Sequence, residues 1–145
     1  MDGILTTKEL EKHIHTLYDR IEPLAQADGV YRPLEDYFDI GTPKGIDGSF
    51  CYSDELGYHY GVNERGKQIM NIRTHSLVEI VFVVLEEQIL WMAHDYERKH
   101  RIAGEDSRRQ LFQKMIQYWN AIGGEYAVRA KQDIKETLVK APFFD

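Results

Sequence analysis

Residues 76–103 constrain the fold more than any other part of the chain. Residues 77–85 are apolar at nearly every position, so they must lie deep in the protein, and the following residues become amphipathic and highly charged. Ser76 and Glu79 have the spacing of a capping box, which favours a helix start. The competing interpretation is a buried strand, because the apolar run is rich in β-branched side chains. A helix over the whole stretch would be roughly 40 Å long.

Length and composition predict a single cytoplasmic domain, residues 1–145. A chain of 145 residues with 43% hydrophobic content can bury one core and is too short for two. Charged residues interrupt both the first helix and the apolar run, so we expect neither a signal peptide nor a membrane span. The lone Cys51 cannot form an intramolecular disulfide, which fits a reducing compartment.

The charge of the chain is concentrated in one segment. Eight acidic residues and two basic ones lie between residues 28 and 64, so this segment carries the full net charge of −6. It also holds seven of the seventeen aromatic residues. Because phosphate binding needs a concentrated basic face, we expect no nucleic acid partner.

Four segments follow one another along the chain. A capping box at Thr6 and Glu9 and apolar residues at helical spacing predict an amphipathic helix over 6–28. Residues 29–48 hold two prolines and four glycines and are predicted to be irregular. Alternating apolar residues predict a β-meander over 49–74, with Gly66 supplying a positive φ in a bulged three-residue loop. Residues 76–141 are predicted to be helical.

These segments predict an α+β fold. Three short antiparallel strands do not form a stable sheet alone and need a helix packed on one face. We therefore expect a three-stranded antiparallel β-meander packed on about four helices, with a long central helix. The apolar sheet face opposite the helices is compatible with a homodimer.

The sequence lacks a recognisable catalytic or metal-binding constellation. No pair of histidines has a chelating helical spacing, and the two Glu-x-x-His units that a diiron bundle needs are not present, so we expect no metal and no cofactor. Cys51 beside His59 across a hairpin could act as a nucleophile. A half-buried structural thiol is the better interpretation, because nothing nearby would lower its pKa. We therefore expect no enzymatic activity.

Residues 94–109 form the densest cluster of charges. Several acidic and basic residues are spaced as favourable i,i+4 pairs, which is typical of a solvated helical hairpin. In the alternative interpretation, inward-facing arginines and histidines serve a small-ligand-binding protein or an enzyme. The residues assigned to this structural or ligand cluster are Asp95, Arg98, Arg101, Asp106, Arg108 and Arg109.

The acidic, aromatic segment suggests a surface for a protein partner. Aromatic side chains give large contact areas, and carboxylates would steer a basic partner. In the competing interpretation the aromatic residues are mostly core and the acidic ones only solvate the surface. The predicted partner-binding residues are Asp36, Asp39, Phe50, Tyr52, Asp54, Glu64 and Arg65.

Several motifs follow one another in a fixed order along the chain. They are Gly57-Tyr58-His59-Tyr60, Asn63-Glu64-Arg65-Gly66, a long apolar helix, Asp95-Tyr96-Glu97 with Arg101, residues 106–112, and a closing helix that ends at Pro142-Phe143. In this order they resemble the immunity protein 63 family, small α+β proteins of bacterial polymorphic toxin systems. The resemblance covers roughly residues 30–145.

The resemblance implies a function by protein binding. A member of this family would be a cytoplasmic, non-enzymatic immunity protein that binds and neutralises a toxin encoded beside it. Because nuclease toxins are commonly basic, the acidic balance of the chain suggests a basic nuclease-type toxin. A scaffold or regulatory subunit for a host protein is a further alternative. The positions that match the family pattern are Glu64, Arg65, Gly66, Asp106, Arg108 and Arg109.

Overall fold

The computed structural model describes residues 3–35, 37–38 and 48–145, and this part of the chain has an α+β fold. It contains five helices and one three-stranded antiparallel sheet, which confirms the predicted fold class. In chain order the elements are α1 (Thr7–Asp19), α2 (Glu22–Ala27), β1 (Gly48–Asp54), β2 (Gly57–Glu64), β3 (Lys67–Thr74), α3 (Leu77–Lys99), α4 (Arg108–Ile122) and α5 (Gly124–Lys140).

The predicted helix over residues 6–28 is divided into α1 and α2. Pro23 explains the division, because its ring would clash with the carbonyl of Asp19, four residues earlier, where α1 ends. The start of α1 is as predicted. The amide of Thr6 donates to Oε1 of Glu9 at 2.9 Å, and the amide of Glu9 donates to Oγ1 of Thr6 at 3.1 Å.

The central apolar run is helical, so the competing strand interpretation is wrong. Helix α3 comprises 23 residues, and Ile80, Val84 and Leu85 are fully buried. Only half of the predicted capping box forms at its start. The amide of Glu79 donates to Oγ of Ser76 at 3.1 Å, whereas the amide of Ser76 donates to Oγ1 of Thr74.

The sheet is a meander in the order β1-β2-β3. The β2–β3 hairpin differs from the prediction, because its loop has two residues rather than three. Both loop residues, Arg65 and Gly66, have positive φ values of 54° and 78°, as a type I′ turn requires. The irregularity lies instead within the strands, where the register shifts between Val62 and Asn63.

The register sorts the strand residues onto two faces. Cys51, Tyr58 and Tyr60 lie on one face and are at most 4% exposed. The chain around the start of α1 contacts this face, because the amide of Leu5 donates to the Tyr58 hydroxyl at 2.9 Å. Phe50, Tyr52, His59 and Gly61 lie on the opposite face, called here the outer sheet face.

The chain divides into two compact units. The first contains the described residues within 1–16 and 34–85, and the second contains residues 17–33 and 86–145. The core of the second unit includes Tyr18, Tyr118 and Trp119, each at most 1% exposed. That the whole chain forms a single domain stays a prediction.

Candidate functional site

The outer sheet face carries a stack of rings. The rings of Tyr52 and His59 are nearly parallel, with centroids 4.5 Å apart, and the ring of Phe50 follows at 6.1 Å from Tyr52. Gly61 makes room for Phe50, because a Cβ there would lie 2.8 Å from Cε1 of that ring. These contacts hold the aromatic surface in one arrangement.

Asp54 joins this stack through His59. Oδ1 of Asp54 lies 2.8 Å from Nε2 of His59 and also accepts the amide of Leu56 at 2.8 Å. The hydrogen bond with His59 lowers the pKa of Asp54 below its ordinary value. Asp54 therefore remains a carboxylate at neutral pH, with its side chain 36% exposed.

The structure brings only some of the predicted partner-binding residues together. Tyr52 and Asp54 meet through His59, whereas Phe50 is 7% exposed and supports the stack from below the surface. Glu64 and Arg65 are exposed at the opposite end of β2, an eight-residue strand, which places them roughly 20 Å from Asp54 at about 3.3 Å per residue. Asp36 and Asp39 lie outside the described residues. The described residues of the predicted partner-binding set therefore spread along the sheet and do not form one compact patch.

Cys51 faces away from His59. Cys51 and its register partner Tyr60 lie together on the sheet face opposite His59, and the thiol is fully buried. Burial raises the pKa of Cys51 to about 12, so the thiolate needed for nucleophilic attack is disfavoured. Within residues 3–35, 37–38 and 48–145, no three histidine, cysteine or acidic side chains are grouped so that they could hold a metal ion.

The predicted charge cluster of residues 94–109 separates into three pairings. Asp95 pairs with Arg98 on α3. Glu97, whose side chain is 4% exposed, accepts two hydrogen bonds from Arg101, at 2.7 and 2.9 Å. These bonds lower the pKa of Glu97.

The third pairing involves Asp106, Arg108 and Arg109, which hold residues 141–145. Asp106 is 3% exposed and accepts hydrogen bonds from the Arg108 guanidinium and from the amide of Phe144. Arg108 also donates to the carbonyl oxygens of residues 141 and 142, and Arg109 donates to Oδ1 of Asp145. Three predicted cluster residues thus make internal contacts.

Two features escaped the sequence analysis. The first is the contact of His59 with Asp54, although the alternation along β2 places His59 on the face opposite Tyr58 and Tyr60. The second is Asp28, one of the eight acidic residues of the charged segment, whose Oδ2 accepts from Nζ of Lys114 at 2.9 Å and from the Tyr118 hydroxyl at 2.8 Å. No local signal links Asp28 to residues so distant in sequence.

No helix in the described part of the chain is long and apolar enough to cross a membrane. No curated protein and no solved structure matches this chain. The family model of Immunity protein 63 matches residues 53–136, which include β2, β3, α3 and α4 in full. This match covers more than half of the 145 residues and confirms the resemblance. The chain therefore belongs to the Immunity protein 63 family and is an immunity protein of a toxin system, with a toxin as its partner.

Proposed function

We propose that this protein neutralises one cognate toxin by binding it in the cytoplasm, without enzymatic activity of its own. The observation that carries the proposal is the match to the immunity family over residues 53–136. That range includes β2 with His59 and both helices of the charged cluster. The proposed partner is the toxin encoded by the adjacent gene, and the proposed interaction involves neither nucleic acid nor a membrane.

The outer sheet face is the proposed contact surface. Tyr52 is held by stacking against His59, so little side-chain freedom would be lost when a partner covers it. Asp54 provides an adjacent carboxylate, and Glu64 provides a second at the far end of β2. Asp36 and Asp39 are proposed to add charge, and Arg65 is proposed to contribute at the hairpin tip.

A basic nuclease-type toxin fits the charge of the chain. The segment between residues 28 and 64 carries the whole net charge of −6, and one of its acidic residues, Asp28, is already paired with Lys114. Carboxylates that occupy a cationic cleft use the same electrostatic attraction as a nucleic acid substrate. Long-range attraction of this kind raises the association rate and weakens with salt.

The alternative function, a small-ligand-binding protein or an enzyme built on residues 94–109, has less support. Arg101, Arg108 and Arg109 are engaged by Glu97, Asp106 and Asp145. A ligand would have to displace these carboxylates to reach the guanidinium groups. A bound metabolite detected by native mass spectrometry would favour this alternative.

Charge reversal at Asp54 and Glu64 tests the proposed surface. We expect the double variant Asp54→Lys with Glu64→Lys to associate with the toxin about tenfold more slowly at low salt, and with a weaker salt dependence. Glu136→Lys on α5 is the matched control, because Glu136 is exposed and its only described contact is with Gln132. An unchanged association rate and salt dependence would exclude this surface.

Self-association through the sheet is a separate prediction. Ile69 and Met70 on the edge strand β3 are 58% and 46% exposed, which leaves apolar area available to a second copy. Light scattering of the free protein at micromolar concentration would show a dimer. A monomer under these conditions would contradict this prediction without affecting toxin binding.

A further inference from the structure

A cavity of about 250 Å³ opens on the second unit, and its lining includes neither Arg101 nor Arg108. Its lining residues come from the segment after α2 and from the second half of α3. They are Arg32, Trp91, His94, Asp95 and Arg98, and the cavity is called here the Arg32 pocket.

Arg32 lies over an exposed indole. Its guanidinium carbon is 4.7 Å from the centroid of the Trp91 ring, and Trp91 is 43% exposed. Stacking occupies a face of the guanidinium and leaves its in-plane N–H groups available for a planar, bidentate acceptor. No carboxylate among the described residues forms an ion pair with Arg32.

The segment that carries Arg32 is fixed at three points. The carbonyl of Arg32 accepts a hydrogen bond of 2.6 Å from the hydroxyl of the buried Tyr18. Nζ of Lys99 donates to the carbonyl of Gly29, and Asp28 is bonded to Lys114 and Tyr118. The position of Arg32 is therefore set before any partner binds, which lowers the entropic cost of using it.

The charge of the pocket favours an anion. Arg98 is already paired with Asp95, so these two charges offset each other. Among the described residues no carboxylate is paired with Arg32, and besides Arg32, Asp95 and Arg98 the described lining holds one titratable group, His94. A carboxylate placed in the plane of the Arg32 guanidinium would form two charge-assisted hydrogen bonds above the indole.

The volume of the pocket indicates which kind of anion it accepts. Pockets for small-molecule ligands usually enclose about 300–1,000 Å³, and this cavity is smaller. One side chain presented by a protein would fit. Exposed tryptophan and arginine residues are also the types that dominate binding energy in protein interfaces.

We propose that the Arg32 pocket receives an aspartate or glutamate side chain of the cognate toxin, with Arg32 as its ligand and Trp91 as the floor of the site. This inference rests on the proposed function, because the toxin supplies the carboxylate. It adds a contact whose charge is opposite to that of Asp54 on the outer sheet face. Two contacts of opposite sign would discriminate against toxins that are merely basic.

Substitutions in the pocket test the inference by titration calorimetry with the purified toxin domain. We expect Arg32→Gln and Trp91→Ala each to weaken binding by about 10- to 100-fold, the range for removal of an interface hot spot. Arg32→Lys keeps the charge but loses the planar fork, so we expect an intermediate loss. Lys131→Gln is the matched control, because it removes one positive charge from an exposed position on α5.

The outcomes separate the two proposals. If the wild-type protein binds and neutralises the toxin while all three pocket variants bind within twofold of it, the pocket is excluded and the proposed function stands. If the wild-type protein neither binds nor neutralises the toxin, the proposed function fails and the pocket proposal fails with it. Thermal unfolding of each variant shows whether it is folded, and Arg32→Lys keeps the test valid if Arg32→Gln does not fold.

Discussion

Oδ2 of Asp106 lies 2.8 Å from Nη2 of Arg108, and this ion pair links the start of α4 to residues 141–145. The same carboxylate accepts the backbone amide of Phe144, while the ring of Phe143 lies 4.2 Å from the guanidinium carbon of Arg109. The match to the immunity family includes Asp106 and both arginines. Their described contacts hold the fold together, which separates them from the proposed toxin-binding residues.

Asp106→Asn should destabilise the protein in a pH-dependent way. Hydrogen bonding to Arg108 holds the pKa of Asp106 well below its usual range, whereas the unfolded value is about 3.9. The folded state thus favours the ionised form, and the resulting stability is present above about pH 4 and is lost as the pH falls towards the folded pKa. The difference in melting temperature between wild type and variant should be largest at pH 6–7 and shrink below pH 4. A difference that stays constant from pH 7 to pH 2 would contradict this assignment.

Gly61→Ala should destabilise the outer sheet face. The new methyl group would overlap the Phe50 ring and lie 2.9 Å from the carbonyl oxygen of Met70. Overpacking of this kind costs about 1–3 kcal/mol, measurable by urea denaturation. Combining it with Phe50→Leu should cost less than the sum of the two single changes, because the smaller side chain can move away. Additive effects would show that Gly61 does not serve to accommodate Phe50.

Tyr118→Phe should lower the free energy of unfolding by about 1–3 kcal/mol, because the buried hydroxyl donates to the carboxylate of Asp28. Tyr126→Phe is the matched control. Tyr126 lies on the neighbouring helix α5, is half-buried, and has no described hydrogen bond through its hydroxyl. Equal losses for the two variants, measured by chemical denaturation, would contradict a specific role for the bond to Asp28.

The features that local patterns determine were predictable. The spacing of Thr6 and Glu9 fixed the start of α1, and the alternation of Tyr58 and Tyr60 placed both rings on one sheet face. The helical spacing over residues 6–28 does not reveal the break between α1 and α2, which follows from Pro23.

Contacts between residues far apart in sequence were not predictable. Arg32 meets Trp91, and Asp28 meets Tyr118, only because the second unit folds. Charge counting could not show that Asp28 is an internal partner, since hydrogen bonding depends on the folded neighbours. Asp54 and Glu64 lie far apart, because Asp54 ends β1 beside the start of β2 and Glu64 ends β2.

Neutralisation of a cognate toxin by binding is tested most directly by co-expression with the toxin domain encoded by the adjacent gene. Cell survival is scored first, and the two proteins are then purified together through a tag on the toxin. We expect the wild-type protein to restore growth and to co-purify as a stable complex. The absence of both rescue and complex would contradict neutralisation by direct binding.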